Sequence, residues 1–276
     1  MNVALNYACK PINNFADLLS EYPDSQFNSP RRSTVPLLAY WKNAAARCVD
    51  LFGRLGLEYP ASVDLTYEHE VPVDETNKAK GKPSCTDLMI CCDGVIIAIE
   101  GKYREPKYET VGAWLAKGDR SDDSGTEARP PLGHDQPTNR QLVLEGWLGM
   151  INRATGSDIS QKDVSEITYQ TIHRTASACH PYVRQSNIRR FMLYQCFVDE
   201  GVDQKYLPDL SALQKLAPST SLRLGCLSFP TERLAAFKKL ETKWDDARER
   251  QLSADVKGGL LRGDLFAFAE PHVHLV

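Results

Sequence analysis

No stretch of about 18 apolar residues runs uninterrupted through the 276-residue chain, which excludes a helical membrane span by length. Met1-Asn2-Val3-Ala4-Leu5-Asn6-Tyr7 lacks a basic segment leading into an apolar one, so no secretory signal is expected. Cysteine is sparse for a disulfide scaffold: the 8 positions, Cys9, Cys48, Cys85, Cys91, Cys92, Cys179, Cys196 and Cys226, form no CxxC pair. A thiolate zinc site is therefore unsupported, and reduced thiols in a cytoplasm are expected. Neither GxxxxGK[ST] nor GxGxxG occurs, which argues against nucleotide-driven translocation. An excess of one charge is also missing. With 33 basic and 36 acidic residues the net charge is -3, which excludes coating of nucleic acid by bulk charge but leaves local basic patches open. What is present is ordinary: 42% hydrophobic and 25% charged residues, enough for a normal core in one large or two modest domains.

Residues 1–34 are mixed in composition and rich in turn formers, and read as a peripheral N-terminal arm with one short helix near Asn14–Glu21. Residues 35–276 read as a single domain. Thr34-Val35-Pro36 opens a helix whose apolar positions, Leu37, Trp41, Ala44, Ala45, Cys48, Leu51, Phe52 and Leu55, recur at helical spacing up to Gly56. Val63–Val71 favours a strand, Asp74–Pro83 a loop, and Gly118–Thr138 a long loop that could serve as a lid. Beyond it the pattern predicts helices over Asn139–Ala154, Asp163–Ala178, Leu207–Leu216 and Pro230–Gln251. Strands are predicted over Ile188–Val198 and Leu222–Phe229, with an edge strand within Leu265–Leu275. This order fits one α/β domain with a mixed sheet.

The most informative segment is Asp87–Lys102. Two apolar runs joined by Asp93-Gly94 are a strong hairpin signal. A two-residue loop pairs Cys92 with Val95, Ile90 with Ile97 and Asp87 with Glu100. Facing carboxylates destabilise a sheet unless a proton, a basic neighbour or a cation compensates them. Lys102, two residues beyond Glu100, falls on the same face. Two acids and a lysine gathered this way suit a hard divalent ion such as Mg2+ and phosphodiester hydrolysis.

Asp87, 12 intervening residues and then Glu100-Gly101-Lys102 resembles the PD-(D/E)xK nuclease superfamily, the fold of restriction endonucleases and many repair and defence nucleases. In Pro83-Ser84-Cys85-Thr86-Asp87 the proline is displaced from its usual place beside the acid. The resemblance covers roughly residues 35–155 and leaves 156–276 as a C-terminal α/β extension. It implies a restriction-endonuclease-like core, a central mixed β-sheet flanked by helices. It further implies that Asp87, Glu100 and the Gly101 carbonyl bind Mg2+, with Mn2+ as a substitute, while Lys102 is catalytic. Glu68 and Glu70 share one strand face, and either could supply the upstream acid that members often add. Gln141 resembles the glutamine of the RecB-like branch, although Glu145 stands where the accompanying tyrosine is expected.

Around this motif, Lys78, Lys80 and Lys82 on one side and Arg104 and Lys107 on the other could contact phosphates. Trp114 and Trp147 read as core rather than as base-stacking platforms, and His173, Cys179 and His180 lack a recognised ligand spacing. The expected function is a Mg2+-dependent endonuclease acting on DNA in a restriction or anti-phage defence setting. Its partners would be DNA, a second copy of the chain, and subunits of a defence system, with no membrane. Two alternatives stay open: a non-catalytic nuclease-fold subunit serving as a binding platform, and a nuclease acting on RNA or a small phosphodiester.

Overall fold

The turn at Asp93-Gly94 sets the register of the sheet. In a computed structural model describing residues 1–73, 83–117, 137–180, 188–246 and 252–276, Gly94 adopts a left-handed conformation (φ 70°) that glycine takes at little cost. Strands β4 (Ser84–Cys92) and β5 (Val95–Lys102) pair antiparallel around it. Cys92 lies opposite Val95, Ile90 opposite Ile97 and Leu88 opposite Ile99, as the hairpin arithmetic predicts. Strand β3 (Ser62–Val71) pairs antiparallel with β4, completing a three-strand meander. The chain then crosses through α4 (Val111–Ala116), α5 (Asn139–Thr155) and α6 (Tyr169–Cys179) to β6 (Arg189–Val198), which runs parallel to β5. Parallel neighbours require such a crossover, and helices supply it. Strand β7 (Leu222–Arg233) lies parallel to β6.

Helices cover both faces of the sheet. Strand alternation sends Leu88, Ile90, Ile97 and Ile99 into one core, packed under α1 (Phe15–Glu21), α2 (Thr34–Trp41), α3 (Ala44–Arg54), α8 (Ala235–Asp246) and α9 (Ser253–Arg262). Met89, Ile96 and Ala98 join the other, under α4, α5, α6 and α7 (Leu207–Leu216). The protein is thus α/β, with a mixed sheet flanked by helices. No helix among the described residues is long and apolar enough to cross a membrane.

Several boundaries differ from the sequence expectation. Residues 1–34 are not a peripheral arm. β1 (Asn2–Tyr7) inserts parallel to β3, β2 (Lys10–Ile12) pairs with β1, and Leu18, Leu19, Tyr22 and Phe27 are buried in the first core. The short helix over Phe15–Glu21 is present, capped by the Asn14 side chain. The helix expected from Thr34 to Leu55 is two helices that part at Lys42 and Asn43, where Asn43 leaves helical backbone geometry. Strand β7 continues through Pro230 because β6 ends there and β8 (Phe266–Phe268) takes over the pairing from Thr231. The helix expected from Pro230 therefore starts at Ala235. β9 (His272–Leu275) pairs antiparallel with the middle of β7. Among the described residues nine strands form the sheet. The loops expected at 74–83 and 118–138 lie almost wholly outside the described residues, and Lys78, Lys80 and Lys82 lie there too.

Candidate functional site

The ladder between β4 and β5 ends at Leu88–Ile99, one pair short of Asp87 and Glu100. There a side chain takes over the linkage: Asp87 Oδ2 accepts the Gly101 N–H at 2.8 Å. The acid of β4 is thereby fixed at the mouth of the hairpin, beside the Glu100-Gly101-Lys102 segment. Lys102 Nζ donates to Glu100 Oε1 at 3.0 Å, and both residues are 4% exposed. Strand alternation puts Glu100 and Lys102 on the face covered by α6, as expected from their spacing.

Helix α6 supplies two residues that sequence reasoning missed. Gln170 Nε2 donates to Glu100 Oε1 at 2.6 Å, and Arg174 Nε donates to Glu100 Oε2. Four residues apart, Gln170 and Arg174 project from the same face of one helix. Both polar residues sit on the stripe that also carries Thr171, Thr175 and Ala178, which the packing of α6 buries. Polar residues on a buried stripe need partners, and Glu100 is the partner.

Glu68 occupies a strained position. It is in the left-handed region (φ 48°) within an otherwise extended strand, and the β3–β4 pairing skips it between Tyr67–Leu88 and His69–Thr86. A side chain held there costs about 1–3 kcal/mol, which surrounding structure must offset. The kink brings Glu68 to the charge cluster: burial first, then Glu100, push its carboxyl up to about 7, while Arg174 pulls it back. Asp87 is raised well above the ordinary carboxylate range by burial, then by Glu100 and Glu68, against Arg174 and Lys102. Arg174 stays protonated. Burial works against its charge, but Glu100 and Asp87 outweigh it and raise its pKa.

Fully ionised, Glu68, Asp87 and Glu100 carry three negative charges against the two positive charges of Lys102 and Arg174. The raised pKa values of Glu68 and Asp87 mean that the cluster favours protons on these acids over carrying all three negative charges. A divalent cation would offset those charges instead, and carboxylate oxygens are the hard donors that Mg2+ prefers. In their present positions, among the described residues, no three His, Cys, Asp or Glu side chains form a ready metal shell. The donor chemistry fits the ion, and both Glu100 oxygens are already engaged by α6 and Lys102.

The other expected residues are distributed more widely. Glu70 is exposed opposite Cys85 and is not among the charges that perturb Asp87. Gln141 lies in the first turn of α5, where it completes a capping box with Thr138: its Oε1 accepts the Thr138 N–H at 2.7 Å. Arg104 and Lys107 are exposed and paired, Arg104 with Glu241 at 3.0 Å and Lys107 with Asp209 at 2.9 Å. Trp147 is buried, stacked between Trp114 and His173.

Residues 11–233 match the family model described as "Domain of unknown function (DUF6946)", and the chain belongs to that family. The matched segment contains Glu68, Asp87, Glu100, Lys102, Gln170 and Arg174, and it closes at the end of β7. No curated protein and no solved structure matches the chain.

Proposed function

We propose that this member of the DUF6946 family is a Mg2+-dependent nuclease that hydrolyses DNA phosphodiester bonds, an endonuclease in a restriction or anti-phage setting. One observation carries the reading. Asp87 from one strand and the Glu100-Gly101-Lys102 segment from the next are tied together at the open end of a hairpin, with Lys102 and Glu100 in direct contact. The order of elements supports it: a helix, an antiparallel meander, a helical crossover and a parallel strand are the parts of a restriction-endonuclease-like core.

Asp87, Glu100 and Glu68 would hold the ion. When bound, it neutralises the carboxylates and polarises a phosphoryl oxygen. Lys102 offers a compact cation to the negative charge that grows on the phosphate during attack. Arg174 and Gln170 orient Glu100. The test is incubation with plasmid and linear DNA in Mg2+, Mn2+ or EDTA, beside variants at Asp87, Glu100 and Lys102. RNA serves as a parallel substrate.

A second reading has its own support. Glu100 accepts from Lys102, Gln170 and Arg174, and both Glu100 and Lys102 are buried. A nuclease fold whose acid is saturated by the protein's own cations could act as a non-catalytic binding platform. Calorimetry with Mg2+ and Mn2+ separates the two, because only the enzyme needs the ion.

A further inference from the structure

Lys102 is buried, yet its neighbour Tyr108 is not. The Lys102 ammonium lies 5.1 Å from the centre of the Tyr108 ring, and Tyr108 is 44% exposed where Lys102 is 4% exposed. The tyrosine therefore joins the buried lysine to the exposed surface. Lys102 also lies within about 6 Å of the Tyr194 and Tyr206 rings, which are buried, so Tyr108 is the exposed member of its aromatic surround.

Tyr108 also begins a row of rings. It meets Tyr169 edge-on at 5.6 Å; Tyr169 stacks on Trp114 at 5.5 Å, and Trp114 on Trp147 at 5.6 Å. Exposure falls along the row, from exposed Tyr108 through half-buried Tyr169 and Trp114 to buried Trp147. The inner rings anchor the outer one. Basic groups are interleaved with them: the Arg140 guanidinium lies 5.3 Å from the Trp114 ring centre, and Lys107 adjoins Tyr108 in sequence. Exposed aromatics set among cations are how proteins hold single-stranded nucleic acid, the rings stacking on bases and the cations tracking phosphates.

We infer that Tyr108 is a stacking platform for an unpaired nucleobase next to the phosphate that approaches Lys102, so that the preferred substrate is a single-stranded polynucleotide. The inference rests on the nuclease reading of the Asp87–Glu100–Lys102 site and specifies its substrate class. The Tyr108 ring lies beside the Lys102 ammonium, so the base attached to a phosphate at Lys102 would fall within stacking reach of it. A paired base inside a duplex has both faces covered by its neighbours and is denied to the ring.

The test measures binding by fluorescence anisotropy in Mg2+, using the full chain carrying Asp87→Asn so that cleavage is suppressed. Four labelled probes are compared: a thymidine oligomer, a uridine oligomer and an abasic oligomer of the same length, and a DNA duplex. The expected result is binding of the base-bearing single strands about tenfold or more tighter than the abasic strand or the duplex. Adding Tyr108→Ala removes that advantage without weakening abasic binding, and Tyr108→Phe retains it, with unchanged melting temperatures as the check on folding. The thymidine and uridine arms decide between DNA and RNA as the source of the strand. Equal binding of base-bearing and abasic strands, equal losses on both in Tyr108→Ala, or a preference for duplex overturns the stacking role and leaves the nuclease reading standing. Absence of binding to every probe, together with no cleavage by the unmodified chain, ends both.

Discussion

Arg174, on the helix that crosses the sheet, donates its Nε to Glu100 Oε2 on β5, and both side chains are buried. The guanidinium and the carboxylate compensate each other, so removing one leaves the other in a medium that penalises charge. Arg174→Met should therefore cost about 3 kcal/mol of stability. The double variant Arg174→Met, Glu100→Met should recover little of that loss, since it leaves Lys102 buried without its carboxylate. Urea unfolding of the four proteins in this cycle measures the coupling directly.

Glu68 links strain, charge and pH. Its carboxyl titrates at about 7 when folded against an ordinary 4.5, so between those values the folded chain holds a proton that the unfolded chain has released. Stability must then fall as pH rises through that window, by up to about 3 kcal/mol. The raised pKa of Asp87 adds in the same direction. Glu68→Gln should flatten the fall, becoming more stable than the parent at pH values above about 7. Glu68→Gly should gain further by relieving the left-handed backbone, and should lose cleavage activity despite its added stability. Melting temperatures across pH, with a cleavage assay alongside, give both answers.

A divalent ion should oppose that same proton. Mg2+ binding to the folded chain raises the melting temperature by mass action, and EDTA removes the gain. Because the ion competes with the protons on Glu68 and Asp87, the gain should be larger above pH 7 than at about pH 5.5. Asp87→Asn should abolish it. Differential scanning fluorimetry with and without Mg2+ at the two pH values reads the effect.

Two glutamines should separate by role. Gln141→Ala removes half of a capping box and should cost roughly 1 kcal/mol of stability, with activity kept. Gln170→Ala removes a donor to Glu100 and should reduce kcat at least about tenfold with a smaller change in KM. Gln170→Glu should be worse than Gln170→Ala, since it places a carboxylate against Glu100. Steady-state cleavage kinetics beside thermal melts distinguish the two positions.

The hairpin that carries this site was legible in the sequence because it is local. A hairpin with a two-residue loop fixes its own register, so the pairing from Cys92–Val95 to Leu88–Ile99 follows from the Asp93-Gly94 turn alone, and Asp87 and Glu100 stand one position beyond its end. The two-sided burial of Met89 and Ile90 followed from the same alternation. What could not be read is what arrives from elsewhere in the chain. Gln170 and Arg174 lie 70 and 74 residues from Glu100, and only the packing of α6 on β5 brings them there. Gln141 carried the expected residue type, but its side chain is taken up by its own helix start. The kink at Glu68 was equally hidden, since glutamate gives no local signal for a left-handed backbone. The N-terminal strand gives no local signal, because its parallel partner, β3, lies about 60 residues away.

The most direct test of the central claim is cleavage of supercoiled plasmid and of linear single-stranded DNA by the unmodified chain and by Lys102→Met, each in Mg2+ and in EDTA. The account predicts nicking or degradation by the unmodified chain in Mg2+, none in EDTA, and at least about a 100-fold loss in a folded Lys102→Met protein. Equal Mg2+-dependent cleavage by both proteins would contradict it, as would activity that EDTA leaves untouched.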